Sequence, residues 1–245
     1  MTSQRIALLA LCALSGLAAG CLGGARPETP GGAALWLTRD SGAFGASEQS
    51  RLSGLGAREI FLDAAELDWN GGVRLIRIEA PAIPRRTPTT LVVSGRWLSG
   101  DRPPEQLATA LLSELSGLRI AAEQDGLLVT GFHFEVEPGA KGESYGHTLK
   151  RLRSGLGNST YLSASLDRRA LEGPDAQAIA DAVDFFVCMI YGQRPGEAED
   201  PAAWDLQFVE KSFRRLEALG RPYFIGASTL GTATWRGRNG EVRES

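Results

Sequence analysis

The sequence predicts an α/β fold, a compact (β/α)8 TIM-barrel-like domain in which an eighth strand is not evident. Short apolar runs alternate with helical patterns along the 245 residues, and such runs are typical of parallel strands that are buried on both faces. Seven such strands favour a barrel, which usually takes about 250 residues. The alternative is an open doubly wound parallel sheet, but no glycine-rich phosphate loop follows the first strand.

The first 33 residues are predicted to lie outside the folded domain. Residues 1–20 combine a basic start, an apolar run and small residues, which is typical of a secretory signal, since a membrane-spanning helix needs about 20 apolar residues. The small residues end at Cys21, and this ending resembles a bacterial lipobox, which implies that Cys21 is lipidated. The alternative is ordinary cleavage with Cys21 unmodified. Residues 21–33 then form a flexible tether, and residues 34–245 form the barrel domain.

Charge and cysteine content restrict the possible partners. The chain carries 26 Lys and Arg against 29 Asp and Glu, a net charge of −3, which argues against a nucleic-acid partner. Of three cysteines, Cys12 leaves with the signal and Cys21 takes the lipid, so Cys188 has no partner for an internal disulfide. The two histidines and scattered carboxylates show no metal-ligand spacing. We therefore expect neither a metal nor a cofactor.

The predicted elements follow one another in the order strand, helix, strand. The predicted strands cover 34–38, 59–63, 73–78 (an antiparallel hairpin partner), 90–94, 127–137, 160–166, 185–191 and 222–227. The predicted helices cover 47–55, a segment from its N-cap Asp101 to beyond 115, 145–156, 174–183 and 200–219. Residues 232–245 form either a terminal hairpin that turns at Asn239-Gly240 or a chain end that stops short of barrel closure.

Residues 131–137, Gly-Phe-His-Phe-Glu-Val-Glu, are the most informative segment for function. Their period of two predicts a strand that sends His133, Glu135 and Glu137 to one face. Because an unpaired buried charge costs many kcal/mol, that face must meet water, a counter-charge or a polar site. The structural alternative, in which Glu135 pairs with His133 and arginines, stays open.

Candidate site residues follow from the position of catalytic groups in barrels, at the C-terminal ends of strands. Carboxylates mixed with aromatic residues occur there, and sugar sites use carboxylates for proton transfer and ring faces for stacking. The catalytic candidates are Glu137 and Glu135, with Cα atoms roughly 6.7 Å apart on a strand, which leaves the stereochemistry of cleavage open. The candidate substrate-binding residues are His133, Tyr191, Gln193, Trp36, Arg39, Trp97 and Asp63.

Two segments resemble chitinase-like glycosidases. Residues 131–137 are similar to the fourth barrel strand of that family, Gly-x-Asp-x-Asp-x-Glu, and residues 189–191 to the sixth-strand motif Met-x-Tyr-Asp. The resemblance implies that Glu137 is the proton donor, with its pKa raised by the barrel interior, and that Glu135 assists it. His133 and Gly192 stand where the family has aspartates.

A longer part of the chain, residues 34–232, resembles a bacterial domain-of-unknown-function family of envelope proteins with glycosidase-like barrels. The shared segments include Leu-Ser-Ala-Ser at 162–165, Asp-Phe-Phe at 184–186 and Gly-Arg-Pro at 220–222. The resemblance implies a barrel and a carbohydrate-related role. Together with the lipobox-like ending at Cys21, it leads us to expect an envelope protein, anchored to the inner or outer membrane, that hydrolyses a polysaccharide. The competing interpretation is a carbohydrate-binding or envelope-assembly lipoprotein that has lost catalysis.

Overall fold

Eleven strands and six helices occupy the residues that the computed structural model describes. These residues are 12–13, 32–39, 41, 44–54, 56–79, 81–137, 142–189, 206–226, 234–236 and 242–244. The strands are β1 (Cys12–Ala13), β2 (Ala33–Leu37), β3 (Ala57–Asp68), β4 (Arg74–Arg77), β5 (Pro88–Arg96), β6 (Leu128–Glu137), β7 (Tyr161–Asp167), β8 (Phe185–Met189), β9 (Tyr223–Gly226), β10 (Thr234–Arg236) and β11 (Val242–Glu244). The helices are α1 (Ala46–Gly54), α2 (Pro104–Gln124), α3 (Gly142–Gly155), α4 (Arg168–Glu172), α5 (Ala176–Ala182) and α6 (Leu206–Ala218).

Seven of the strands form a parallel sheet in which sequence neighbours are also spatial neighbours. The order is β9-β8-β7-β6-β5-β3-β2, with β4 antiparallel to β3 and β1 antiparallel to β9. A doubly wound sheet reverses its strand order at a switch point, whereas this order runs in one direction, and the sheet curls into a half-barrel. The predicted barrel-like fold is confirmed, with seven parallel strands among the described residues, and the doubly wound alternative is wrong.

The two faces of the sheet bury two separate apolar layers. Alternate residues of each strand point to opposite faces, so Leu62 and Phe134 join the layer under the helices, while Trp36, Phe61 and Phe185 join the layer on the concave face. Helix α2 packs against α3, and α3 against α5, on the outer side. The concave side chains therefore fill the half-barrel, except toward the C-terminal ends of the strands.

Helix α2 shows how the sequence punctuates the outer layer. Its apolar stripe, which includes Leu107, Leu111 and Leu115, is buried because these positions recur on one helical face. The N-cap residue is Pro103, without a side-chain cap bond, and Pro104 occupies the first turn. The prediction of Asp101 as N-cap was therefore wrong, since the two prolines fix the backbone at the helix start.

The connection between β3 and β5 departs from the strand-helix repeat. The described residues between these strands contain the predicted hairpin partner β4 and no helix. The turn uses Gly71 and Gly72, with φ of 75° and 156°, where a Cβ would be strained. In β3 the pairing with β5 shifts between Asp63 and Ala65. Asp63 is level with Val92 before this bulge, and Glu66 is level with Ser94 after it.

The two ends of the chain add short antiparallel pairs. Strand β1 belongs to the predicted signal segment and lies along β9. Strands β10 and β11 pair as the predicted terminal hairpin, with Thr234 opposite Glu244; its predicted turn at Asn239-Gly240 lies outside the described residues. Among the described residues, no helix has the length and apolar character needed to cross a membrane.

Candidate active site

Strand β6 carries three ionisable side chains on the concave face, and their burial decreases along the strand. His133 is fully buried, Glu135 is half-buried, and the side chain of Glu137 is 45% exposed. In the register of the sheet, His133 is level with Val92 and Ser163. The three groups thus have three different environments rather than one polar face.

His133 is satisfied inside the protein. Its Nδ1 lies 2.9 Å from the Ser163 hydroxyl and its Nε2 lies 2.8 Å from the Ser165 hydroxyl. Trp36 and Phe61 meet the ring edge-on, with centroids 5.0 and 5.3 Å away. Burial lowers the pKa of His133 to about 3, so the ring is neutral. Of the three surroundings predicted for this face, His133 therefore has the polar site, because two hydroxyls satisfy a neutral imidazole.

Glu135 lies one step further along the same face. Burial, together with the negative charge of Asp63, raises the pKa of Glu135 from 4.5 to about 7. Desolvation and a nearby like charge both disfavour the carboxylate form. The side chain is therefore able to hold a proton near neutral pH and to donate it, which general acid catalysis requires.

A cavity opens at the C-terminal ends of β5 to β8. Its volume is about 330 Å³, which lies within the range of about 300–1,000 Å³ for small-ligand sites. The position is the one at which barrel enzymes place their catalytic groups. Its lining includes Gly95, Glu135, Glu137, Ser165, Asp167 and Met189.

The other two carboxylates of this cavity are held by neighbouring groups. Glu137 forms an ion pair with Arg96, with Nε 3.2 Å from Oε2. Asp167 accepts a hydrogen bond of 2.7 Å from the backbone N–H of Ala170 and so caps α4. The enclosed environment that the sequence led us to expect for Glu137 is found at Glu135, because β6 leaves the concave core as it approaches residue 137.

The two predicted aromatic platforms are buried and offer no ring face to a ligand in this structure. Trp36 is 4% exposed and stacks on Phe61 at 5.3 Å between ring centroids. Trp97 is 2% exposed and packs in the outer layer against Trp69 and Tyr145. Alternation alone does not distinguish an aromatic residue that fills a layer from one that lines a site.

The remaining predicted residues divide between the site and its surroundings. Asp63 acts electrostatically on Glu135 and so belongs to the site. Arg39 is exposed just beyond β2. Tyr191, Gln193 and the predicted lipidation residue Cys21 lie outside the described residues. Within the described part of the chain, no group of three or more His, Cys, Asp or Glu side chains is arranged to hold a metal ion.

The sequence reasoning missed Ser163 and Ser165 on β7. Both bind the His133 ring, and Ser165 also lines the cavity. The sequence pattern could have predicted them, since Ser163, Ser165 and Asp167 occupy every second position of a largely apolar strand and therefore share one face. Short hydroxyl residues on a concave barrel face therefore mark the polar partners of a buried group such as His133.

A larger cavity of about 590 Å³ lies on the helix side of the sheet. Its lining includes the apolar residues Leu62, Leu91 and Leu118 and the charged residues Arg77 and Asp125. These two charged side chains pair with each other. The smaller cavity is therefore the better candidate for catalysis, since it contains the carboxyl whose pKa lies near neutrality.

Comparison with protein-family models and with curated proteins gave no match. Among solved structures, the chain is similar to the Bacillus cereus spore cortex-lytic enzyme SleL, with 15% identity and a TM-score of 0.52, over 86% of this chain and 63% of that chain. The likeness shows the fold, an incomplete (β/α)8 barrel. The chain is also similar to a glycoside hydrolase family 18 N-acetylglucosaminidase from Paenibacillus barengoltzii, with 12% identity and a TM-score of 0.50, over 78% of this chain and 66% of that chain. The chain thus spans slightly less than two thirds of either protein.

Proposed function

We propose that the protein is a glycoside hydrolase that acts on a polysaccharide, with Glu135 as the proton donor. The observation that carries the proposal is the Glu135 carboxyl, which lines a ligand-sized cavity at the C-terminal ends of the strands and has its pKa raised to about 7. The similarity of the barrel to glycosidases supports the reaction class only by analogy, because one fold hosts many functions.

The reaction requires one protonated and one ionised carboxyl group at the glycosidic bond. Glu135 gives its proton to the leaving oxygen as the bond from that oxygen to the anomeric carbon breaks. Glu137, which is paired with Arg96, is then the carboxylate that faces the positive charge developing on the sugar ring. Water adds to the anomeric carbon and returns a proton to Glu135. Both a two-step displacement and participation of a substrate group are compatible with this layout.

These roles exchange the two that the chitinase resemblance implies. In the resemblance Glu137 donates the proton and Glu135 assists, whereas the burial along β6 favours Glu135 as the donor. An acid must be protonated at the working pH. The carboxyl whose pKa lies near 7 meets this requirement.

The test is the release of reducing ends from a panel of bacterial polysaccharides by the purified full-length chain. We expect Glu135→Gln to lower the rate by about two orders of magnitude or more, and the wild-type rate to fall above about pH 7 as Glu135 loses its proton. Glu210→Gln is the matched control, since Glu210 is exposed on α6 in a pair with Arg214. The opposite result would be loss of activity in Glu137→Gln but not in Glu135→Gln, with the rate of Glu135→Gln still falling above about pH 7. It would make Glu137 the proton donor, as the chitinase resemblance implies.

A second candidate function is carbohydrate binding or envelope assembly without catalysis. The chitinase motif has an aspartate at the position of His133 and the proton donor at the position of Glu137. Here His133 is a buried neutral ring and Glu137 is held in an ion pair. Both differences favour this candidate. Binding of a polysaccharide by a folded wild-type chain that releases no reducing ends, and equal binding by Glu135→Gln, would support it over hydrolysis.

We also propose that Cys21 is lipidated and anchors the protein to a membrane of the bacterial envelope. The support is the signal-like segment that ends at Cys21 and the Gly- and Pro-rich stretch of 21–33. The resemblance of residues 34–232 to envelope proteins points to the same compartment. The test is fractionation of cells that express the full chain or Cys21→Ser, with the mass of the N-terminal peptide. An unmodified Cys21 peptide from the wild type would refute the anchor.

A further inference from the structure

A chain of hydrogen bonds leads from the backbone of β6 to the wall of the cavity. The Ser163 hydroxyl lies 3.4 Å from the carbonyl oxygen of Phe132 and 2.9 Å from Nδ1 of His133. On the other side of the ring, Nε2 lies 2.8 Å from the Ser165 hydroxyl. Ser165 is 8% exposed and lines the cavity, whereas His133 and Ser163 are fully buried.

The directions of these bonds follow from the number of protons available. A hydroxyl has one proton and two lone pairs. With the ring proton on Nδ1, Ser163 accepts from the ring and its own proton is available to the Phe132 carbonyl oxygen, so all three contacts are hydrogen bonds. With the ring proton on Nε2, Ser163 donates to Nδ1 and the Phe132 contact is lost, so the arrangement with the proton on Nδ1 satisfies one more contact. A neutral imidazole has only one N–H, which leaves Nε2 as an acceptor. The Ser165 hydroxyl therefore donates its proton to Nε2.

We infer that Ser165 determines the polarity of the ligand site: its proton is held by His133, so it presents only acceptor lone pairs to the cavity. A ligand is then recognised there through an O–H or N–H donor, such as a sugar hydroxyl. A ligand group that can only accept a hydrogen bond would face the lone pairs of Ser165 and would bind less tightly there. The inference rests on the proposed function only in taking this cavity as the site of a carbohydrate. His133 is a positioning residue, since it acts on the ligand through Ser165.

The same three residues do not make Ser165 a nucleophile. Attack by the hydroxyl would require His133 to take its proton and become an imidazolium ion. Trp36 and Phe61 enclose the ring, and Ser163 offers it no negative charge. Burial lowers the pKa of His133 to about 3, which agrees with a ring that stays neutral. The network therefore orients a hydroxyl rather than activating it.

The first test is the tautomeric state of His133, measured from the ring nitrogens of the 15N-labelled full-length chain by NMR. The chain has two histidines, and His147, exposed on α3, is assigned through His147→Gln. We expect a protonated Nδ1 and an unprotonated Nε2 in the wild type and in Ser165→Ala. Ser163→Ala removes the acceptor of the Nδ1 proton and should shift the ring toward the Nε2–H form. A protonated Nε2 in the wild type would overturn the inference, because Ser165 would then be free to donate.

The second test measures binding of methyl β-glucoside and its monodeoxyfluoro analogues, in which fluorine replaces one hydroxyl and cannot donate. We expect the wild type to bind the parent glucoside about tenfold more tightly than one of the analogues. Ser165→Ala should lose this preference. The same preference in both proteins, or no binding by either, would overturn the selectivity of Ser165. Neither test reads hydrolysis, so a failure of the proposed catalysis leaves both results interpretable.

Discussion

Replacement of Glu135 by Gln should make the stability of the protein less dependent on pH. The pKa of Glu135 is raised from 4.5 to about 7 by burial and by the charge of Asp63. The native state therefore keeps a proton that the unfolded chain releases. Below pH 4.5 both states are protonated and the stability is fully present; it is lost as the pH rises toward about 7 and is constant above that value.

The size of the effect follows from the shift. One pKa unit corresponds to about 1.4 kcal/mol, so the shift of Glu135 corresponds to a loss of about 3 kcal/mol of unfolding free energy between about pH 4.5 and about pH 8. The neutral amide of Gln has no such loss. We therefore expect Glu135→Gln to be about 3 kcal/mol more favourable, relative to the wild type, at about pH 8 than at about pH 4.5.

The assay is urea unfolding of the wild type and the variant at several values between these two pH limits. The comparison at each pH cancels the titration of the shared groups that do not interact with Glu135. Glu137→Gln is the matched control on the same strand, since its exposed ion pair with Arg96 should contribute less than about 1 kcal/mol. A difference between Glu135→Gln and wild type that is the same at both limits would refute the raised pKa and, with it, the choice of Glu135 as the acid.

Two further predictions concern packing and buried charge. Gly131→Ala should lower the free energy of unfolding by about 1–3 kcal/mol, because the new Cβ would lie 2.7 Å from Cβ of Tyr161. The control Gly117→Ala, in an exposed turn of α2, should raise the free energy of unfolding by about 0.5–1 kcal/mol. Equal effects of the two substitutions in thermal unfolding would contradict the prediction for Gly131. Arg153→Met should cost about 3–5 kcal/mol, because it leaves the 2%-exposed carboxylate of Asp184 without its ion pair; denaturant unfolding that shows less than about 1 kcal/mol would refute this.

Most of the fold could be predicted because it rests on local patterns. The alternation in β6, the proline-started helix α2 and the Gly-Gly turn before β4 each specify an element within a dozen residues. The half-barrel followed from the number of buried strands and the helices between them. Asp101 was predicted as an N-cap because Pro103 and Pro104 fit the first turn of a helix, but the N-cap is Pro103 and the helix begins at Pro104.

The candidate site was harder to predict because depth along a strand leaves no mark in the sequence. The alternation of β6 assigned His133, Glu135 and Glu137 to one face correctly, yet it treated them as equivalent. How far each lies inside the barrel depends on the register with β5 and β7, which is a non-local property. Trp36 and Trp97 show the same limit, since both are buried, in different layers.

The order of burial along β6 explains why one strand can place three ionisable side chains in three different environments. At His133 two hydroxyls are sufficient because the ring can be neutral, and a charged side chain there would lack a counter-ion. At Glu137 the side chain reaches solvent and pairs with Arg96. Only the intermediate position combines partial desolvation with access to the cavity, and a carboxyl there is driven toward a pKa near neutrality. A carboxyl group at position 133 would lack access to the cavity, and one at position 137 lacks the desolvation. We therefore expect activity to depend most strongly on Glu135.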